Sequence, residues 1–210
     1  MGNQILTLNI GRPNLQLWNG VTYNSAIRKK PVSEVLLTKN GFKGDSVGNR
    51  DVHGGPERAV CLYPSEHYMQ WEKEFQKPFQ MPAFGENICA ANQLEKNVYI
   101  GDIFSLGEAI IQVSQGRVPC ASISMHNKAE NLLSRVVETG YTGYFFRVLQ
   151  EGIVKEDSSL RLMERKQEKF SVLAGNQLMF HDRKNRAAIE ELIQVEELAE
   201  AWRNRLKKAL

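Results

Sequence analysis

Four short clusters carry residue types that can do chemistry. Gln115-Gly116-Arg117-Val118-Pro119-Cys120 follows an apolar run, residues 110–114, that reads as a strand. Gly116 frees the backbone there, and Pro119 stiffens the approach to Cys120. Arg117 stands three residues before the thiol. A cationic neighbour favours the thiolate, the form that acts as nucleophile or soft-metal ligand. Free cysteine is also a common small core residue. Cys61, within the apolar run 59–63, and Cys89, between Ile88 and Ala90, fit that second role. Cys120, in a Pro-Cys loop, fits either.

His53-Gly54-Gly55-Pro56-Glu57-Arg58 is the second cluster. Paired glycines let backbone N–H groups approach a ligand, and Arg58 offers a fork-shaped donor suited to phosphate. His53 is the candidate proton donor. A tight turn before a strand is the plainer reading. In Phe84-Gly85-Glu86-Asn87, Glu86 and Asn87 could bind the donors of a heterocycle, although Asn at a turn commonly bonds its own backbone. Arg147 lies in an apolar strand, where a charge needs a partner: a carboxylate for a structural role, a bound anion for a functional one. His67, His126 and His181 have no partner at metal-ligand spacing and read as surface or packing residues.

These clusters sit in a chain of 210 residues, enough for one ordinary domain and a small addition. Residues 1–168 read as short strands with turns between them. The clearest pair is a hairpin within 98–114, turning at Gly107-Glu108. Many short strands suggest a closed barrel or a sandwich. One helix is expected to run from Ser65 as cap to Phe75, and another over 128–138 with Gly140 as its stop. From residue 169 the chain becomes helical: 171–179, 183 or 184 to 192, and 195–210. Leu198, Trp202 and Leu206 form an apolar stripe, so this short tail must pack on the barrel or on a second subunit. Arg203, Arg205, Lys207 and Lys208 suit the negative end of the last helix dipole.

The charge balance is +3, from 27 basic and 24 acidic residues, which gives no electrostatic case for a nucleic-acid polymer. No apolar run is long enough to span a bilayer. Three scattered cysteines without a CxxC argue against a disulfide framework or zinc knuckle and point to a reducing cytoplasm.

Taken in series, the clusters resemble the MOSC domain family, named after the C-terminal domain of molybdenum cofactor sulfurases. The resemblance rests on Gly44-Asp45, on His53-Gly54-Gly55-Pro56-Glu57-Arg58-Ala59 and on Tyr63-Pro64-Ser65-Glu66-His67-Tyr68. It continues through Phe84-Gly85-Glu86-Asn87, Gly101-Asp102-Ile103-Phe104 and the run from Val113 to Cys120. It covers nearly the whole chain and is nearest to the stand-alone bacterial YiiM-like branch, which carries a three-helix C-terminal domain. Gly116 departs from the pattern, standing where a relative can have a bulkier residue.

The resemblance implies a mainly β fold with helices, a pyruvate kinase barrel-like MOSC β-barrel over 1–168, and a small C-terminal α-helical domain over 169–210. It implies the molybdenum cofactor (molybdopterin), with Cys120 as protein ligand to the metal. Gly54, Gly55, Arg58, Glu86, Asn87, Arg117 and Arg147 are the remaining cofactor-binding candidates by their chemistry. The implied activity is oxidoreductase: reduction of a small N-hydroxylated base or related compound, with electrons from a separate donor protein. The alternative is a carrier of cofactor or sulfur without turnover. No membrane or nucleic-acid partner is expected, and a homodimer stays open.

Overall fold

The computed structural model describes residues 3–18, 20–46 and 54–210. In chain order the first strands are β1 (Asn3–Ile10), β2 (Asn14–Trp18), β3 (Val21–Ser25), β4 (Lys30–Pro31), β5 (Glu34–Thr38) and β6 (Gly41–Phe42). Then come β7 (Val60–Pro64), β8 (Ile88–Ala90), β9 (Ile103–Leu106), β10 (Ala109–Gly116), β11 (Tyr144–Gln150), β12 (Gly152–Lys155) and β13 (Ser159–Glu164). The helices are α1 (Glu66–Phe75), α2 (Ser122–Asn127), α3 (Leu132–Thr139), α4 (Val172–Phe180), α5 (Arg186–Leu192) and α6 (Glu200–Lys207).

Seven strands close on themselves in the order β13-β9-β10-β11-β7-β8-β1, with β1 returning to β13 through Asn3 opposite Leu160. Closure leaves no long unpaired edge among them. The barrel is mixed, because β7 and β8 run parallel, with Leu62 opposite Ile88, while the other pairs are antiparallel. A parallel pair needs a crossover, and α1 lies in that connection. On β11 the alternation is clean: Tyr144, Phe146 and Val148 point into the core, and Phe145 and Arg147 point outward. On β10 almost every residue is buried, because α4 covers its outer face.

The tail shares the barrel's core. Leu178, Met179, Leu192, Trp202 and Leu206 belong to one buried cluster with Ile111, Val113 and Phe146. Ser171 caps α4 by accepting from the Ala174 N–H at 3.1 Å, and Asn185 caps α5 by accepting from that of Ala188 at 3.2 Å. Two expected helices are shorter than the sequence suggests. Lys128 adopts φ 50° and ends α2, so α3 begins only at Leu132. The last helix starts at Glu200, because the Ala199 N–H donates to the Ser114 carbonyl of β10 at 2.9 Å. Among the described residues no helix is long and apolar enough to cross a membrane.

Candidate functional site

A cleft of about 920 Å³ opens where the loops after β3 and β10, the turn Pro56–Arg58 and α6 converge. Cys120 lines it and is partly exposed, whereas Cys89 is fully buried. Cys61 also borders the cleft but is only 6% exposed, on a β7 whose every residue is buried. Burial pushes the thiols of Cys61 and Cys89 up; Arg117 partly opposes this at Cys61.

Arg117 is fixed by its backbone, whose N–H donates to the Gly143 carbonyl at 3.0 Å. Among the described residues its side chain has one hydrogen-bond contact, from Nη1 to Cys61 Sγ at 3.9 Å, and forms no carboxylate salt bridge. Burial alone would lower the guanidinium, but the surrounding Cys61, Cys120 and Glu86 outweigh it and hold the group above its ordinary value. A cation in that state is built to meet an anion. Arg58 enters the cleft from the turn, and burial lowers its guanidinium. Gly54 and Gly55 lie beside it with φ 84° and 91°; among the described residues a Cβ on Gly55 would meet nothing within 4 Å, so its backbone faces open space there.

Asn87 borders the cleft, yet its amide is fully used. Its Oδ1 accepts from the Cys61 N–H at 3.1 Å, and its Nδ2 donates to the Asn9 carbonyl at 3.2 Å and to Asp45 Oδ2 at 2.9 Å. Asp45 in turn pairs with Lys29, another cleft cation. Asn87 therefore positions other groups. Glu86 does not reach the cleft: it is wholly buried, accepting from the Tyr68 hydroxyl and from the Phe84 N–H at 3.0 Å. Arg147 does not reach it either. It pairs with Glu57 Oε2 at 2.5 Å and donates to Gln112 Oε1 at 2.9 Å and to the Glu197 carbonyl at 2.7 Å, which ties β11 to the tail. Both assignments to cofactor binding are thus replaced by structural roles, because their polar atoms are already satisfied inside the fold. His53 lies outside the described residues. His67 is a packing residue, bonded to Glu95 at 2.7 Å and stacked on Tyr141.

Residues 49–161 match the MOSC domain and residues 171–210 match the YiiM-like 3-alpha helix domain. The uncharacterized protein YflK of Bacillus subtilis (strain 168) is 42% identical over 95% of this chain and 90% of its own. The crystal structure of YiiM from Geobacillus stearothermophilus superposes with a TM-score of 0.83 at 33% identity, covering 99% of each chain. A Gibberella moniliformis protein named Reductase is 32% identical over 80% of this chain and 31% of its own greater length.

The chain belongs to the MOSC domain family. That family is associated with the molybdenum cofactor, an anionic pterin dithiolene, and the MOSC cleft described above suits such a group. Among the described residues no cluster of three His, Cys, Asp or Glu side chains could hold a bare metal ion. A metal here would need ligands of its own beside a single thiol, and Cys120 is the exposed thiol of the cleft. Arg117, Arg58 and the open backbone at Gly55 supply the complementary charge and donors. The sequence reading missed Trp202 and Arg205, which α6 brings to the same MOSC cleft. The apolar stripe located Trp202 on a packing face, but nothing local signals that the face ends at the site.

Proposed function

We propose that this chain binds the molybdenum cofactor through Cys120 and reduces small N-hydroxylated compounds, with electrons delivered by a separate protein. The observation that carries the reading is that one cleft holds a partly exposed Cys120 and Arg117, a cation lacking a carboxylate salt-bridge partner among the described residues. The relative named Reductase supports the oxidoreductase side of it.

When bound, the cofactor supplies two-electron redox chemistry at its metal. The chain supplies the rest. Cys120 Sγ gives the soft donor, and the Arg117 charge favours its thiolate. Arg58 and the backbone at Gly54 and Gly55 are suited to the terminal phosphate. Val118, Pro119 and Trp202 form apolar walls that exclude water from one side. Asn87, through Asp45, holds Lys29 in place. Release of the substrate oxygen as water needs a proton, and His53, adjoining Gly54 in sequence, is the proposed donor.

The test uses protein purified from a host that makes the cofactor. Wild type should retain near-stoichiometric molybdenum and reduce an N-hydroxylated base when given a chemical reductant. Cys120→Ala should lose both while keeping the thermal unfolding of wild type. Metal retained without turnover in wild type would favour the carrier reading, and metal retained in Cys120→Ala would sink the ligand assignment.

A further inference from the structure

The proposed reduction leaves Arg205 unused. Ala201, Trp202 and Arg205 line the cleft, and this spacing turns one side of α6 toward it. Trp202 sets that orientation. It is 2% exposed, and its six-membered ring lies over Gly116 and Gly175. Gly116 directly precedes Arg117, so α6 is anchored one residue from the cation beside Cys120. Arg205 follows Trp202 by about one helical turn and is thereby carried to the rim.

Of the other cations nearby, Arg117 and Arg58 are assigned above to the cofactor, and the rest are engaged within the fold. Arg203 donates to the carbonyls of Val195 and Leu198, each at 3.0 Å, and pairs with Glu200 at 3.3 Å. Lys29 is paired with Asp45, and Arg147 with Glu57. Arg205 is exposed, and among the described residues its guanidinium makes neither an ion pair nor a hydrogen bond; its carbonyl accepts from Arg183 at 3.5 Å. The cleft, at about 920 Å³, stands at the upper end of the size range of small-molecule sites.

We propose that Arg205 binds a phosphate carried by the substrate, so that the substrate class is an N-hydroxylated nucleotide rather than a free base. The reacting base rests on the function proposed above; the phosphate contact does not. A guanidinium fork matches two phosphate oxygens at once, and a lysine at that place would give charge without the fork. The tail then contributes substrate selection to a site whose metal ligand belongs to the barrel.

The probes are N4-hydroxycytidine and its 5′-monophosphate, with full-length, cofactor-loaded protein. Binding is read by calorimetry and reduction is followed in parallel, for wild type, Arg205→Gln and Arg205→Lys. The monophosphate should bind wild type at least ~10-fold more tightly than the nucleoside. Arg205→Gln should bring that ratio close to one, and Arg205→Lys should restore part of it. Equal affinities in wild type, no binding of either probe, or a preference that survives Arg205→Gln would overturn the proposal. So would loss of molybdenum in Arg205→Gln, which would assign Arg205 to the cofactor's own phosphate. Arg205-dependent nucleotide binding without reduction would refute the reductase reading and leave this one standing.

Discussion

Gly116 is the place where barrel and tail come closest, and replacing it by alanine tests that seam. A Cβ built there would collide with Asn176 Oδ1 and stand 2.8 Å from Trp202 Cη2 and 2.9 Å from Cζ2. Neither neighbour can move cheaply. Asn176 is wholly buried and donates to the Gly140 carbonyl at 2.8 Å and to Thr142 Oγ1 at 3.0 Å; Trp202 is wedged against Gly175 as well. Overpacking of this kind costs about 1–3 kcal/mol. Losing the two Asn176 bonds adds about 0.5–1.5 kcal/mol each. Relief of the glycine's excess chain entropy offsets about 0.5–1 kcal/mol. The expected net destabilisation is about 2–4 kcal/mol, or about 5–15 °C in Tm for a chain of this size. Denaturant unfolding followed by tryptophan fluorescence measures it. Asn176→Ala, which removes the clashing oxygen, should cost less in the Gly116→Ala background than in wild type. A Gly116→Ala protein within about 0.5 kcal/mol of wild type, the range of ordinary surface substitutions, would refute this account of the seam.

Cofactor-free protein treated with a thiol reagent at neutral pH should label at Cys120 about 10-fold or more faster than at Cys61 or Cys89, since burial keeps the latter two inaccessible and protonated; mass spectrometry of timed digests reads the order, and equal rates would argue against an open thiol in the cleft. Glu86 gives a pH signature. Burial, opposed by the bonds from Tyr68 and Phe84, holds its carboxyl above the ordinary value. Its contribution to stability is therefore fully present below the unfolded-state pKa and is lost as pH rises through the folded value. Glu86→Gln should add a pH-independent cost of about 1–2 kcal/mol from a broken hydrogen bond. It should also flatten the decline in stability on going from about pH 4 to neutrality; an unchanged slope would show that Glu86 does not titrate across that range.

Much of the barrel was legible because short β-branched and aromatic runs stood between turn residues. The hairpin turning at Gly107-Glu108 is a local event, and local sequence describes it; Ser65 precedes α1 as expected but makes no side-chain cap bond. The β2–β3 hairpin escaped because its pattern is inverted. Leu15 and Leu17 are 76% and 71% exposed, while Gln16 between them is buried and donates to the Ser25 carbonyl at 3.3 Å. Cys120 was legible as a chemical candidate because its Pro-Cys loop breaks the apolar context that surrounds Cys61 and Cys89. The roles of Glu86 and Arg147 were not legible, since each depends on a partner far along the chain: Tyr68 for the first, Glu57 for the second. The departure at Gly116 has its reason in Asn176 and Trp202, both supplied by the tail.

The pairing of Asn3 with Leu160 also sets a timetable for synthesis. β1 cannot find the strand that closes the barrel until about 155 further residues have been translated, roughly 10–30 s at ordinary elongation rates. Throughout that interval the nascent chain carries one edge without its closing partner, a template for unwanted pairing. A ribosome that stalls before β13 is exposed therefore releases a sheet that cannot become a barrel. α6 is later still, and with it come Trp202 and Arg205, so the cleft is complete only once α6 has been made. Whatever enters that cleft to stay must arrive after α6 has taken its place.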